Sequence, residues 1–229
     1  VTLTGALSGA GNLTIGGAGT NNASVFVNLS GNTMTSGTIT LANDGGGVAR
    51  VQSTASTSAA LDWVISTTGS NTVSIENAGT YNFGSFGGSG NLAYQGAGNA
   101  IFSVGGLNND ATYSGVMSRT NGNASLSLLK IGTGSWTLSG ANTFSQAGSG
   151  AAATTTVRDG SLIAGTNALS GVAGAFGNST TAIVLGDATT ISSGTAMNPK
   201  LLIGGVFNVG RDITVGANNN SLGNAGTTF

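Results

Sequence analysis

The reactive side chains of this chain are few, and one short stretch gathers the most promising of them. KIGTGSWTLSGANTF, residues 130–144, sets Lys130 two residues before a Gly132-x-Gly134 pair and Trp136 just behind it. A glycine-rich turn with a lysine is the raw material of a phosphate cradle, where backbone N–H groups and an ammonium hold the anion. The spacing argues otherwise. A dinucleotide fingerprint needs a third glycine three residues after the pair, with a helix behind it. After Gly9-x-Gly11, Gly17-x-Gly19, Gly45-x-Gly47, Gly88-x-Gly90, Gly96-x-Gly98, Gly132-x-Gly134 and Gly148-x-Gly150 that position is never glycine. Lys130 precedes its glycines instead of following one, and SWTL after Gly134 alternates as a strand does. The stretch reads as a corner and a strand.

Other chemistry is equally constrained. There is no His and no Cys, which rules out Ser-His-Asp and Cys-His catalysis and thiolate or imidazole zinc sites. Glycoside cleavage remains open in principle, because it needs only two carboxylates. The candidates are Asp44, Asp62, Glu76, Asp110, Asp159, Asp187 and Asp212. Asp159 and Asp212 each follow an arginine, Arg158 and Arg211, and adjacent strand residues point to opposite faces. Those dipeptides read as solvated strand ends. A calcium nonapeptide starts correctly at Gly87-Gly88-Ser89-Gly90, but Leu92 stands where aspartate should. Trp63 and Trp136 could stack on sugars, yet alternation groups them with Leu61, Ile65 and Leu138, a core-like face. Tyr81, Tyr94 and Tyr113 are the better surface candidates, at irregular spacing. Thr-x-Thr pairs at Thr2/Thr4, Thr33/Thr35 and Thr38/Thr40 suggest an ice-binding array but do not recur at one period. No residue is assigned to catalysis, to a cofactor or to a metal.

Composition explains why so little chemistry is on offer. The chain has 229 residues with 41 Gly, one Pro (Pro199), six Lys plus Arg and seven Asp plus Glu. Charged residues make up 6%, against roughly 25% in ordinary globular proteins. Ser, Thr and Asn together exceed a third of the chain. Hydrophobic residues still reach 39% and mean hydropathy is +0.22, so a core is buried among glycine, hydroxyls and amides. A net charge of −1 with scattered basic residues offers no nucleic-acid or membrane-surface patch. No apolar run approaches the ~18 residues of a membrane span.

The elements that would position any site are strands. Val1-Thr2-Leu3-Thr4, Thr38–Leu41, Thr72–Ile75 and Ser135–Leu138 alternate apolar and polar residues. Apolar runs recur at Val25–Val27, Leu61–Ile65, Ile101–Val104, Ile183–Leu185, Leu201–Ile203 and Ile213–Val215, with Gly, Asn and Ser clusters between them. One weak helical turn is expected at Ala168–Phe176. GALSGAGNLTIGGAG (residues 5–19) aligns without gaps on GSFGGSGNLAYQGAG (residues 84–98), and residues 125–140 repeat the strand, Gly-x-Gly, strand plan. Such self-similarity marks stacked units.

A parallel β-solenoid fits better than a sandwich, because stacking places like residues about 4.8 Å apart. Like charges repel in that register, whereas Asn, Ser and Thr can hydrogen-bond along it. The expectation is an all-β, right-handed parallel β-helix over residues 1–229, a single solenoid segment of roughly ten coils of twenty-odd residues. Leu13, Phe26, Val27, Ile39, Trp63, Ile75, Leu92, Phe102, Leu128, Trp136, Leu138, Leu162, Ile183, Leu202 and Val215 should point inward.

Residues 111–165 carry a resemblance. ATYSGVMS, LLKIGTGSWTLSGANTFS and TTTVRDGSLIAG resemble the autotransporter-associated β-strand repeat of secreted bacterial passenger domains. Lys130, Gly132, Gly134, Leu138, Ser139, Gly140, Ala141, Asn142, Thr143, Phe144, Gly160 and Leu162 match its pattern. Trp136 departs from it, where the family usually carries Leu or another apolar residue, and so does the Ala/Gly-rich loop Gln146–Ala153. VTLTGALSGAGNLTIGG, and the stretch from GAFGNSTTAIVLGDATT to FNVGRDITVG, look like looser relatives from very large bacterial surface proteins. The resemblance implies a right-handed β-helix, export to the cell surface, and a segment of a longer chain. It implies no activity, since function is grafted onto such scaffolds.

The expected role is therefore a structural or adhesive scaffold, extracellular or on a bacterial surface. The rival is a polysaccharide lyase or hydrolase on the same fold. VTLT begins mid-pattern and the last strand runs into an Asn/Gly tail ending at Phe229, neither with a charged cap. The expected partners are further coils of the same chain or end-to-end copies of it. Cell-surface or matrix glycans are the ligands an adhesive role would call for.

Overall fold

The computed structural model describes residues 2–3, 5–17, 25–27, 31–45, 49–52, 58–145, 152–192 and 197–216. Strands dominate them, with one five-residue helix, α1 (Ala188–Ser192). The strands stack in parallel into three faces. The first face runs β1 (Thr2–Leu3), β4 (Val25–Val27), β7 (Ala49–Val51), β9 (Thr72–Ile75), β12 (Asn91–Tyr94) and β15 (Met117–Arg119). The second runs β10 (Gly79–Phe83), β13 (Asn99–Val104), β16 (Ser125–Lys130), β18 (Thr155–Val157), β21 (Ile183–Leu185) and β24 (Ile213–Val215). The third runs β3 (Leu13–Gly17), β6 (Thr38–Asn43), β8 (Asp62–Thr67), β11 (Ser85–Gly88), β14 (Ala111–Tyr113), β17 (Ser135–Leu138), β19 (Ser161–Ala164) and β22 (Lys200–Ile203). Two-stranded sheets complete the first and last coils: β2 (Ser8–Ala10) with β5 (Thr33–Ser36), and β20 (Ala168–Leu169) with β23 (Val209–Gly210). Each strand pairs with its counterpart one coil on, which is a β-solenoid.

The longest face has eight rungs among the described residues, fewer than the expected ten coils. Unequal coils account for the shortfall. Ser135 pairs with Ser161, 26 residues on, but Ser161 pairs with Lys200, 39 residues on, because that coil carries α1.

Alternation sends every second side chain inward, and stacking aligns them into columns. Ile39, Trp63, Trp136 and Leu162 belong to one column of the third face, and Phe83, Val104, Val157 and Leu185 to one column of the second. The rings pack edge to face: Trp63 of the third face on Phe83 of the second at 5.4 Å, and Phe83 on Phe102 of its own face at 5.3 Å. Such pairs add about 0.5–1.5 kcal/mol each beyond the area they bury.

Ile39, Trp63, Ile75, Leu92, Phe102, Leu128, Trp136, Leu138, Leu162 and Ile183 are buried as expected, and Leu13 packs half-buried against them. Three expected core residues are not. Phe26 opposes Arg50 and lies under its guanidinium, 5.7 Å from ring centroid to carbon, on the outer side of the first face. Leu202 is displaced by its neighbour: Leu201 pairs with the inward Leu162, so alternation turns Leu202 away. Val215 does follow the buried Leu185 in register, yet it is 41% exposed. The side chain of Val27 lies outside the described residues, as does the expected continuation of the chain at Phe229.

Ala168–Phe176 is not a helical turn. Ala168 and Leu169 form β20, and Gly174 bridges antiparallel to Asn142. The aligned stretches 5–19 and 84–98 do not occupy the same face either. Leu13 lies on the third face and Leu92 on the first. What they share is a corner: Asn12 Oδ1 accepts from Thr38 N, and Asn91 Oδ1 from Val116 N, 26 and 25 residues on. The self-similarity marks a corner design, not a coil period.

Candidate functional site

The corner between β16 and β17 is the place where sequence concentrates reactive groups, and the structure turns them inward. Residues 130–138 form a strand end, a glycine corner and a strand. The glycines lead into β17, so no helix dipole stands behind them. Gly132 adopts φ +68, and a Cβ there would overlap the Gly105 carbonyl oxygen of the previous coil. The corner needs glycine for both reasons.

Lys130 is 1% exposed in a column whose neighbouring rungs are Val104 and Val157. Its ammonium donates to Ile131 O at 2.6 Å, Gly132 O at 2.8 Å and Asp159 O at 3.3 Å. All three protons are used, and all go to backbone. Burial pulls its pKa down to about 8, against the opposing pull of the Asp159 and Asp110 carboxylates.

The rest of the motif is also structural. Trp136 and Leu138 are core, and Phe144 is 1% exposed. The indole N–H of Trp136 crosses the coil of Ala111 to reach Phe86 O at 2.8 Å, two coils away. A Cβ on Gly134 or Gly140 would overlap the Asn109 or Gly115 carbonyl of the coil before. Asn142 is fully buried; its Oδ1 accepts from Met117 N at 2.7 Å and its Nδ2 donates to Ala175 O at 2.8 Å.

The tyrosines expected at the surface are buried. Tyr81, Tyr94 and Tyr113 are each 0% exposed, and each hydroxyl donates to a carbonyl: Asn77 O, Gly98 O and Gly90 O. Desolvation raises all three pKa values. The reason is that a ladder satisfies strand carbonyls but leaves those at corners pointing anywhere, including inward. Tyrosine spans the core with its ring and reaches a corner with its oxygen.

Arg211 uses the same solution. It is 5% exposed, not the solvated strand end its sequence suggests, and donates to Phe176 O and Thr181 O. Burial lowers its pKa. Nothing in the local sequence of Arg211 signals this, because Phe176 and Thr181 lie about one coil away.

Two carboxylates, Asp110 and Asp159, lie near one group, the Lys130 ammonium. Among the described residues, no three of His, Cys, Asp and Glu come together. Glu76 pairs with Arg50 at 2.7 Å and Asp187 with Arg158 at 2.8 Å. Asp110 accepts from Ser135 N, which lowers its pKa, and Asp159 accepts from Gly160 N and Asn198 N. Asp62 accepts from the Ser85 hydroxyl and from Asn109 Nδ2 at 3.2 Å. Asp44 and Asp212 are exposed. Leu92, which breaks the calcium pattern, is core. Among the described residues the threonines do not form a continuous array, and Thr4 lies outside them: Thr14 opposes Thr40 and Thr112 opposes Thr137, but Val64 and Ile163 come next on those rungs. A cavity of about 330 Å³ is lined, among the described residues, by the apolar side chains of Leu201, Leu202, Ile203, Val209 and Ile213.

Burial of Lys130 predicts a pH effect on stability. Its pKa is about 8 folded against 10.5 for an unperturbed lysine, so below pH 8 both states are protonated and folding bears the full cost of burying the ammonium. Between about pH 8 and 10 the folded state releases its proton first, and stability should rise by up to about 1.4 kcal/mol per pH unit. Above about pH 10 the buried tyrosines reverse the trend, since unfolded phenols ionise first. Urea midpoints from pH 7 to 11 should peak near pH 10, and Lys130→Met should flatten the rise. A midpoint that falls steadily from pH 8 in the native chain would contradict this.

No family model matches the chain, and neither a curated protein nor a solved structure matches it.

Proposed function

We propose that this chain is a non-catalytic stretch of β-solenoid, a structural or adhesive scaffold exposed outside a bacterial cell. One observation supports the reading most: the side chains able to do chemistry are used to hold coil to coil. Lys130, Tyr113, Trp136, Asn142 and Arg211 all spend their polar atoms on backbone groups about one or two coils away or at the nearest corner. The resemblance of residues 111–165 to the autotransporter-associated repeat points to the same location. Its partners are further coils or copies of the chain, with surface or matrix glycans as adhesive targets.

The test is an assay on a panel of acidic and neutral polysaccharides. No turnover is expected. Reproducible turnover abolished by Asp62→Asn or Asp110→Asn would replace the scaffold with a carbohydrate-active enzyme.

A scaffold outside the cell must also survive proteases, and the six basic residues are placed to that end. Arg50, Arg119, Lys130 and Lys200 lie in strands, Arg158 is ion-paired beside one, and Arg211 is buried. Cleavage needs several residues of accessible extended chain. Trypsin should leave the native protein intact under conditions that digest it fully once unfolded by heat. Rapid native cleavage at Arg158 or Lys200 would count against a rigid solenoid.

A further inference from the structure

We infer that the corner after β16 is a cation site built from backbone carbonyls, which the chain fills with its own ammonium. Three oxygens from two successive coils, Ile131 O, Gly132 O and Asp159 O, converge on Lys130 Nζ within 2.6–3.3 Å. The nearby carboxylates are engaged elsewhere. Asp159 Oδ1 accepts from Gly160 N and Asn198 N, and Asp110 Oδ1 accepts from Ser135 N. The oxygens that touch the ammonium are therefore all peptide carbonyls, the same donor set that strips hydration from monovalent cations in channels, and the Asp159 and Asp110 charges add a longer-range pull.

The rungs below and above it, Val104 and Val157, are apolar, so hydrophobic stacking does not call for a lysine at this place. Converging corner carbonyls do, since a buried carbonyl without a donor is costly. Glycines bring the coils close enough to build the cage: a Cβ at Gly105 would overlap Ile131 O and sit 3.1 Å from Nζ. The occupant defines the ligand class. The cage takes a primary ammonium on a slender alkyl stem, and rejects quaternary ammonium, which has no proton to donate. This site stands on its own geometry and does not depend on the scaffold role.

Removing the tether exposes the site. Lys130→Ala deletes both the cation and its stem, leaving a slot between Val104 and Val157 that n-propylammonium matches in shape and charge. Thermal unfolding of Lys130→Ala should shift up by about 3–6 °C when n-propylammonium chloride is at roughly ten times its Kd. Wild-type protein should not shift, and neither 1-propanol, tetramethylammonium chloride nor sodium chloride should reproduce the gain. Equal rescue by 1-propanol would mean an apolar cavity with no cation site, and no selective rescue would overturn the inference outright. If Lys130→Ala does not fold on its own, recovery of folded protein on refolding reads the same comparison. Lys130→Met restores the stem without the charge; it should be less stable than wild type and indifferent to n-propylammonium. A Lys130→Met variant as stable as wild type at pH 7 would also overturn the site.

Discussion

Trp136→Ala is expected to destabilise the solenoid by about 3–5 kcal/mol, which lowers its thermal midpoint by roughly 10 °C. The indole is 1% exposed and packs edge to face on Phe86 at 6.1 Å. Truncation leaves a cavity that flanking β-ladders cannot collapse into, because their spacing is set by hydrogen bonds. It also strands the Phe86 carbonyl, which has the indole N–H 2.8 Å away. On one side the adjacent coil contributes only Ala111 to that column, too small to fill the gap, and on the other Leu162 is held in place by its own strand. Trp136→Phe separates the two terms. It keeps most of the ring and loses only the donor, and should cost about 1–3 kcal/mol. Thermal and urea unfolding of both variants provide the check; an alanine variant within about 1 kcal/mol of wild type would mean that the column is not tightly packed.

Asn142→Leu should cost about 2–4 kcal/mol despite adding apolar volume, since it leaves Met117 N–H and Ala175 C=O buried without partners. The loss should be local as well as global: the Met117 amide hydrogen should exchange far faster than its neighbours on β15. Asn142→Asp gives a sharper signature. Aspartate keeps the acceptor for Met117 but, when ionised, has no proton for Ala175 and is a buried charge. Its folded pKa must lie above its unfolded one, so its stability should improve as pH falls and the carboxyl protonates. An aspartate variant that weakens on acidification more than the native chain does would refute this account of the amide.

Strand positions were legible in sequence because alternation is a local signal. Thr72–Ile75 and Ser135–Leu138 are strands with the expected bounds, and the charge depletion that argues for stacking is matched by Asn and Asp side chains bonding one coil ahead. The corner reading of KIGTGSWTLSGANTF was legible for the same reason: the residues after Gly134 alternate. The coil period was not. Residues 5–19 and 84–98 look alike yet lie on different faces, because corners recur more than once per coil and a corner motif cannot say which one it makes.

The candidate site divides along the same line. Residue chemistry alone determined that no histidine or cysteine mechanism is available, that Gly132 and Gly134 belong to a turn before a strand, and that Trp63 and Trp136 are core. Only the tertiary structure decided where polar tips go. Tyr81, Tyr94, Tyr113 and Arg211 look like surface groups in sequence, and Lys130 reads only as the end of a strand before a corner, yet all five are buried. Their partners are corner carbonyls, and for Tyr113, Lys130 and Arg211 these include carbonyls 23, 29 and 30 residues distant. A carbonyl is present at every residue, so sequence cannot reveal which ones a ladder leaves unpaired. That depends on where the chain turns from one face to the next, and coil stacking settles it.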